Sequence, residues 1–407
     1  MTTQMNKGPI LITAGGTGGH VYPGLAVARA LESQGIPVIW MGTKEGLEAR
    51  VIPEAGIEMV YLSVSGLRGK GIKSLLAAPF QLVKALFQSF KIMRKVKPSA
   101  VLGMGGFVAG PGGLVASWMG IPVIIHEQNA IPGLTNKLLS KVSNKVLEGF
   151  PGTFKGLNNT VGIGNPVRLD IASIELPEKR LADRIGRINI LIFGGSLGAQ
   201  ALNEVVPMAL GELALDKRPI VRHQAGKNKD ESTARIYEQM GVVAEVTPFI
   251  EDMAEAYEWA DLVICRSGAL TVAELAAAGM ASIMVPYPYA VDDHQTANAQ
   301  YLSQSGAAIL VSQDDLTKEL LSDLLEDLCA NREKLIEMSS KAKALAKPQA
   351  TNKVAAICAD LAGYDFHHDD LDKIKERSST SENWDTFVNE DVNEDNDTSK
   401  KVNYEAA

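Results

Sequence analysis

Four glycines and an imidazole crowd into Gly15-Gly16-Thr17-Gly18-Gly19-His20, directly after an apolar run. A strand feeding such a turn exposes the first N–H groups of the next helix, and those groups attract anions such as phosphate. A tight strand-to-helix turn without a ligand would use the same residues. A second cluster, Gly103-Met104-Gly105-Gly106-Phe107 with Gly110-Pro111-Gly112-Gly113, also follows an apolar run. It reads as close packing of helix on sheet or as an anion site for a phosphorylated acceptor. Each glycine there loses more backbone entropy than alanine would, so the cluster needs a reason. A third turn, Gly194-Gly195-Ser196-Leu197-Gly198-Ala199-Gln200, repeats the first and adds the Ser196 hydroxyl. Dinucleotide binding would need G-x-G-x-x-G. Val21 and Val108 stand where the last glycine should be, and no G-x-x-x-x-G-K-[ST] occurs.

Two later segments carry polar groups at predicted helix starts. In Cys265-Arg266-Ser267-Gly268-Ala269-Leu270-Thr271-Val272-Ala273-Glu274, Ser267 is placed to cap a helix beginning near Ala269. The Glu274 carboxylate could accept from two neighbouring sugar hydroxyls or simply stabilise the helix start. Asp292-Asp293-His294-Gln295-Thr296-Ala297-Asn298 offers amides and an imidazole, though such residues are also ordinary caps. Asp370-x-Asp372 resembles a metal-binding pair only nominally, with no strand before it, and His367-His368 is too short for a metal site. No metal and no cofactor are expected.

These residues must be held by alternating strands and helices. Buried parallel strands are predicted at 9–14, 37–42, 100–105 and 122–127, with helices at 21–34, 73–95 and 108–119. The pattern restarts at 188–193 and continues through PIVRH, VVAEV, ADLVIC, ASIMVP and AAILV. A doubly wound parallel α/β sheet occurring twice fits this alternation, and LITAGGTGG against LIFGGSLGA is its internal echo. Two glycine turns at strand C-termini suggest one ligand held across an interdomain cleft. The connection lies near 164–187, and the pattern is helical from 314 to about 362.

The 407 residues are 46% hydrophobic and 22% charged, with three cysteines, which excludes a disordered chain or a disulfide scaffold. No apolar run spans a bilayer, and no signal peptide is evident at the start. Residues 365–407 hold 13 acidic against 5 basic residues, and a disordered tail is expected there. Residues 59–126 contain no Asp or Glu but carry Arg68, Lys70, Lys73, Lys84, Lys91, Arg94, Lys95 and Lys97. One cationic face on one domain follows.

GGTGGH, GMGGFVAGPGG, HEQN at 126–129, GNPVR at 164–168, GGSLGA, CRSGALTVAE and DHQTANA occur in the order found in the MurG family. Over residues 8–362 the chain resembles these UDP-N-acetylglucosamine transferases, which convert lipid I to lipid II in bacterial peptidoglycan synthesis. The resemblance implies a GT-B fold of two Rossmann-like domains facing a cleft. Residues 8–165 would form the acceptor- and membrane-facing domain and 166–345 the UDP-sugar domain. Residues 346–363 would return as a helix to the first domain, leaving 364–407 as the acidic tail. Thr17, Gly18, Gly19 and Asn129 would line the donor site from the first domain. Arg168, Ser196, Ile250 and the run Ala269, Leu270, Thr271, Val272, Ala273 and Glu274 would bind the nucleotide, with Glu274 on the ribose and the Ile250 backbone by the uracil. Gln295 and Asn298 would face the sugar hydroxyls. Gly105, Gly106, His126 and Glu127 are acceptor-side candidates. The chain departs from some relatives at Met104, where they carry an aromatic residue, and at His294, where they carry Gln.

Transfer from an α-linked nucleotide sugar to a β-linkage inverts the anomeric carbon in one displacement. His20 is the candidate base, with an ordinary pKa near working pH; it could instead only hydrogen-bond substrate, and Glu127 is a rival base. Helix N-termini and Arg168 would stabilise departing UDP without a required metal. The expected partners are UDP-N-acetylglucosamine, undecaprenyl-linked lipid I, an anionic membrane surface and other cell-wall synthesis proteins, with no nucleic acid. The expected location is peripheral, on the cytoplasmic face of the inner membrane. Residues 72–97, interrupted by a break at Pro79, would supply the lipid-facing surface, although part of their apolar side packs on the sheet. A UDP-N-acetylglucosamine 2-epimerase of the same fold and a non-catalytic nucleotide-sugar binding protein are the alternatives.

Overall fold

A computed structural model describes residues 7–63, 72–195 and 197–367, with the side chains of 72–78 and Val291 left aside. Ser196, Arg68, Lys70 and residues 368–407, with His368, Asp370 and Asp372, lie outside the described residues; at the start of the expected tail, Tyr364 and Phe366 instead pack on the first domain's core.

The first sheet holds β1 (Ile10–Ala14), β2 (Val38–Gly42), β3 (Glu58–Tyr61), β4 (Ala100–Gly105), β5 (Val123–Glu127), β6 (Lys145–Glu148) and β7 (Thr160–Gly162). The second holds β8 (Asn189–Phe193), β9 (Ile220–Gln224), β10 (Ala244–Thr247), β11 (Leu262–Cys265), β12 (Ala281–Met284) and β13 (Ala308–Leu310). Every pairing is parallel, in the orders β3-β2-β1-β4-β5-β6-β7 and β10-β9-β8-β11-β12-β13. Parallel strands with helices on both faces must be apolar on both sides, which is why Ile10–Ala14 is wholly buried. The sequence reading finds all six strands of the second sheet but only β1, β2, β4 and β5 of the first. The strands it misses sit toward the sheet edges, where EMVY, KVLE and TVG carry polar or exposed residues.

The helices are, in chain order, α1 (Gly18–Glu32), α2 (Glu48–Glu54), α3 (Ile72–Val96), α4 (Gly106–Trp118), α5 (Leu134–Leu139), α6 (Leu169–Ala172), α7 (Pro177–Arg180), α8 (Gln200–Glu212), α9 (Asp230–Gln239), α10 (Met253–Trp259), α11 (Ala269–Ala278), α12 (His294–Ser303), α13 (Lys318–Ala330), α14 (Arg332–Ala344) and α15 (Ala350–Leu361). Pro79 does not break α3, which runs unbroken through it. At this exposed position water can take the carbonyl that loses its N–H partner. Each sheet is covered on both faces by its own core. The last helix, α15, packs on α1 and β4, and its Ala350, Val354, Ala355, Cys358 and Ala359 belong to the first domain's core.

In open sheets of this winding, the crevice lies outside the strand C-termini where the order reverses. Those points fall between β1 and β4, and between β8 and β11. All three glycine turns and the segment after Cys265 therefore emerge at switch points.

Candidate active site

The first wall begins with the turn Gly15–Thr17, between β1 and α1. Gly16 has φ +97° and donates its N–H to Glu48 Oε2 at 3.1 Å. Glu48 is fully buried, and its other oxygen accepts from the Thr43 N–H at 2.9 Å and the Thr43 hydroxyl at 2.7 Å. A Cβ at Gly15 would lie 2.6 Å from Glu48 Oε1. The turn is glycine-rich partly because a carboxylate sits behind it. The anion-site reading of this turn needs correcting at Gly16, whose N–H is engaged and backed by negative charge. Sequence reading missed Glu48 because it belongs to no motif.

His20, half-buried in the first turn of α1, has Nδ1 at 3.2 Å from Thr17 Oγ1. Gly105 (φ +108°) faces it, and a Cβ there would lie 2.7 Å from His20 Cδ2. A Cβ at Gly106 would meet the Gly15 carbonyl at 2.4 Å. The second glycine cluster thus lets the β4 turn close on the β1 turn and leaves space for the imidazole. Farther along α4, Gly112 faces Met41 of β2, as close packing of helix on sheet requires, and Gly113 faces Leu139 of α5. The pKa of His20 is lowered by burial, an effect opposed by the Glu127 and Glu48 carboxylates and reinforced by His294 of the second domain. The imidazole therefore faces a cleft lined by both domains.

The HEQN segment divides its work. His126 is fully buried, its Nε2 3.0 Å from the Gly164 carbonyl, and burial lowers its pKa to about 4. It is a neutral brace to the Gly164 carbonyl, with no surface open to a ligand. Glu127 accepts from the Asn129 N–H (3.0 Å), the Gly133 N–H (3.0 Å) and Asn136 Nδ2 (3.0 Å). So many donors make it an anchor of the 128–133 loop.

The second wall centres on α11. Ser267 does not cap it; Gly268 holds the cap position, and the Ser267 hydroxyl donates to the Gln295 carbonyl at 2.9 Å. Ala269 and Val272 point their side chains into the core, which leaves backbone for a ligand. Glu274 accepts from the hydroxyl of buried Tyr257 at 3.2 Å. Burial raises its pKa and nearby Arg168 opposes that. Arg168 lies 3.9 Å from Asp170, and Ile250 is half-buried beside α10. Leu270, Thr271 and Ala273 are half-buried along α11. Gln295 Oε1 accepts the Tyr287 N–H at 2.9 Å, so its NH₂ is the group left for a ligand.

Asn298 is placed differently from a free sugar contact. It is fully buried: Oδ1 accepts the Ala130 N–H at 2.8 Å, while Nδ2 donates to Asn129 Oδ1 and the Ser267 carbonyl, both at 3.2 Å. The amide ties the first domain to the second, while Thr17, Gly18, Gly19 and His20 form the start of α1 in the first domain. Among the described residues, no group of three His, Cys, Asp or Glu side chains could hold a metal ion.

The glycosyltransferase family 28 N-terminal domain matches residues 10–148, and the C-terminal domain of the same family matches residues 189–354. A protein of Methylococcus capsulatus is 53% identical over 355 residues, covering 87% of this chain and 99% of its own. It is named UDP-N-acetylglucosamine--N-acetylmuramyl-(pentapeptide) pyrophosphoryl-undecaprenol N-acetylglucosamine transferase. The crystal structure of Acinetobacter baumannii MurG is similar with a TM-score of 0.77 at 44% identity, covering 87% of this chain and 99% of that one. A putative UDP-N-acetylglucosamine 2-epimerase from Listeria monocytogenes covers 89% of this chain and 99% of its own at 14% identity and TM-score 0.61, a likeness of fold alone. The two facing Rossmann-like domains are those of a GT-B glycosyltransferase.

Proposed function

The chain belongs to glycosyltransferase family 28, and we propose on that premise that it moves N-acetylglucosamine from UDP-N-acetylglucosamine to the C4 hydroxyl of MurNAc in lipid I, giving lipid II. One observation carries the reading beyond the family. An imidazole, His20, stands where the β1 and β4 turns of the first domain close on each other, while α11 and α12 of the second domain offer a helix start, the Glu274 carboxylate and the Gln295 amide.

The acceptor hydroxyl attacks the anomeric carbon as the bond from that carbon to UDP breaks. The hydroxyl proton passes to His20 Nε2, whose lone pair is free in the tautomer where Nδ1–H donates to Thr17 Oγ1. Burial keeps the imidazole neutral and ready to accept that proton. Glu274 receives the ribose hydroxyls, the Ile250 backbone the uracil, and the Gln295 NH₂ the sugar. Arg168 and the N-termini of α11 and the helix after the third glycine turn balance the departing diphosphate without a metal. Measuring UDP release with and without a lipid I analogue tests the reading. Acceptor-dependent release supports it. Acceptor-independent release would mean hydrolysis of the donor; conversion of the donor to its C2 epimer without release would favour the epimerase, and neither a binding protein.

The acceptor is anchored in a bilayer, so the enzyme must sit against lipid. No described helix is long and apolar enough to cross a membrane. On α3, Ala85, Ser89 and Met93 are buried, while Phe80, Leu82, Val83, Phe87 and Phe90 are exposed. Lys91 lies 4.6 Å from the Phe87 ring and Arg94 5.9 Å from the Phe90 ring. Exposed aromatics among unopposed cations suit peripheral binding to anionic lipid, at about 1 kcal/mol per basic residue. Replacing Lys84, Lys91 and Arg94 with Glu should abolish low-salt co-sedimentation with anionic vesicles. Transfer to a short-chain soluble acceptor should be unaffected; unchanged co-sedimentation would locate the lipid contact elsewhere.

A further inference from the structure

We infer that Gln224 is a positioning residue for the donor nucleotide, clamping the diphosphate turn and the base-recognition loop together as one unit. The inference rests on the donor reading above, in which the third glycine turn takes the diphosphate and the backbone at Ile250 takes the uracil.

Gln224 ends β9, between two strands. Its Cα is in register with Phe193 of β8 on one side and with Thr247 of β10 on the other. Each neighbour runs straight into one of the two donor loops. The Gln224 side chain is 4% exposed, and its single NH₂ group donates to the Gly195 carbonyl and to the Pro248 carbonyl, both at 3.0 Å. Gly195 precedes Ser196, and Pro248 lies two residues before Ile250. An amide nitrogen has two hydrogens, and both are committed, one to each loop.

The strand end that carries the amide is braced. Beneath it His223 is buried, with Nε2 3.1 Å from Asn203 Oδ1 and Nδ1 2.9 Å from the Tyr237 hydroxyl. Burial lowers the His223 pKa to about 3, so the ring is neutral and braces the strand end without charge. Asn203 Nδ2 donates in turn to the Ala225 carbonyl at 2.8 Å. Above, backbone meets backbone: a Cβ at Gly198 would lie 1.8 Å from the Ala225 carbonyl oxygen. Lys229 Nζ donates to the Leu197 carbonyl at 2.8 Å, closing the far side of the turn. Gln224 alone among these groups reaches both loops.

A nucleotide diphosphate is one ligand with two ends, and it gains the full benefit of both contacts only when the two loops are already spaced for it. Gln224→Met keeps the length and packing but removes both donors. It should weaken UDP binding, read by calorimetry, and raise the UDP-N-acetylglucosamine KM by about tenfold. The kcat at saturating donor, the lipid I KM and Tm should stay near wild type. A purely structural role would instead lower Tm and disturb both substrates together, and that pattern would overturn the inference. Where the Met variant does not fold, Gln224→Asn serves, since its amide is too short for both carbonyls and should show the same donor-only loss. Equal UDP affinity in wild type and variant overturns the positioning role alone. A wild-type protein that binds no UDP overturns the donor reading and this inference with it.

Discussion

The first and third glycine turns share the order strand, paired glycines, hydroxyl residue, helix, yet the groups behind them have opposite character. Behind Gly15–Gly16 sits the buried Glu48 carboxylate, holding the Gly16 N–H. Behind Gly195–Gly198 lie a neutral amide, a neutral histidine network and the Lys229 ammonium, all reaching backbone carbonyls. The first turn disfavours an anion at its apex and presents an imidazole instead. In the third, the Gly198 N–H closes on the Gly195 carbonyl at 2.7 Å, and on the reading proposed above the turn takes the diphosphate. On that reading a duplicated motif says where a site is, and the residue behind it says which charge the site takes.

The largest consequence of that contrast is at His20. His20→Ala should lower kcat by about 10²–10⁴ if the first turn supplies the base; a loss under tenfold at all acceptor concentrations would leave the imidazole a substrate ligand only. On the other wall, Glu274→Ala should raise the donor KM by roughly 1.5–3 kcal/mol of binding, with a smaller effect on kcat. A donor KM unchanged in steady-state kinetics would remove Glu274 from the ribose.

Glu48→Gln tests the charge behind the first turn. The amide keeps one acceptor for the loop but no longer raises the His20 pKa. That pKa already lies below the ordinary 6.5, and a general base must be neutral. The acid limb of kcat/KM should therefore fall below pH 6.5 in the wild type and move to still lower pH in the variant. A limb moving upward, or a wild-type limb above pH 6.5, would contradict the assignment.

A further effect is expected on stability. His126 and His223 are neutral in the fold, with pKa about 4 and about 3 against an ordinary 6.5. Above 6.5 both folded and unfolded forms are neutral and the stability is complete. Below it the unfolded chain binds protons first, so stability falls by about 1.4 kcal/mol per pH unit for each group until the folded pKa is reached. His223→Gln should flatten the urea-midpoint profile between pH 6 and about pH 4; an unaltered slope would mean that His223 is charged in the fold.

The two-sheet architecture was readable because strands buried on both faces are nearly continuous apolar runs, as in ILITA and NILIF. The edge strands β3 and β7 lack that signature, and α3 hid its continuity behind Pro79. Within the site, glycine turns and polar helix starts declared themselves by spacing. Glu48, Tyr257 and Gln224 did not, since each acts on residues distant in sequence and only the fold brings them there. Asn298 was found as a motif residue, but its fully engaged amide and its contact with Asn129 belong to tertiary structure alone.

The helix α15 reverses the order in which this chain can finish folding. A ribosome releases β1 to β7 first, and domains ordinarily fold as they emerge. Here the first domain's core includes Ala350, Val354, Ala355, Cys358 and Ala359, which are made after the whole second domain. Until they arrive, the faces of α1 and β4 that receive α15 stand open to water. The domain begun first is completed last, and a nascent chain stopped anywhere before residue 350 holds a first domain with an uncovered apolar side.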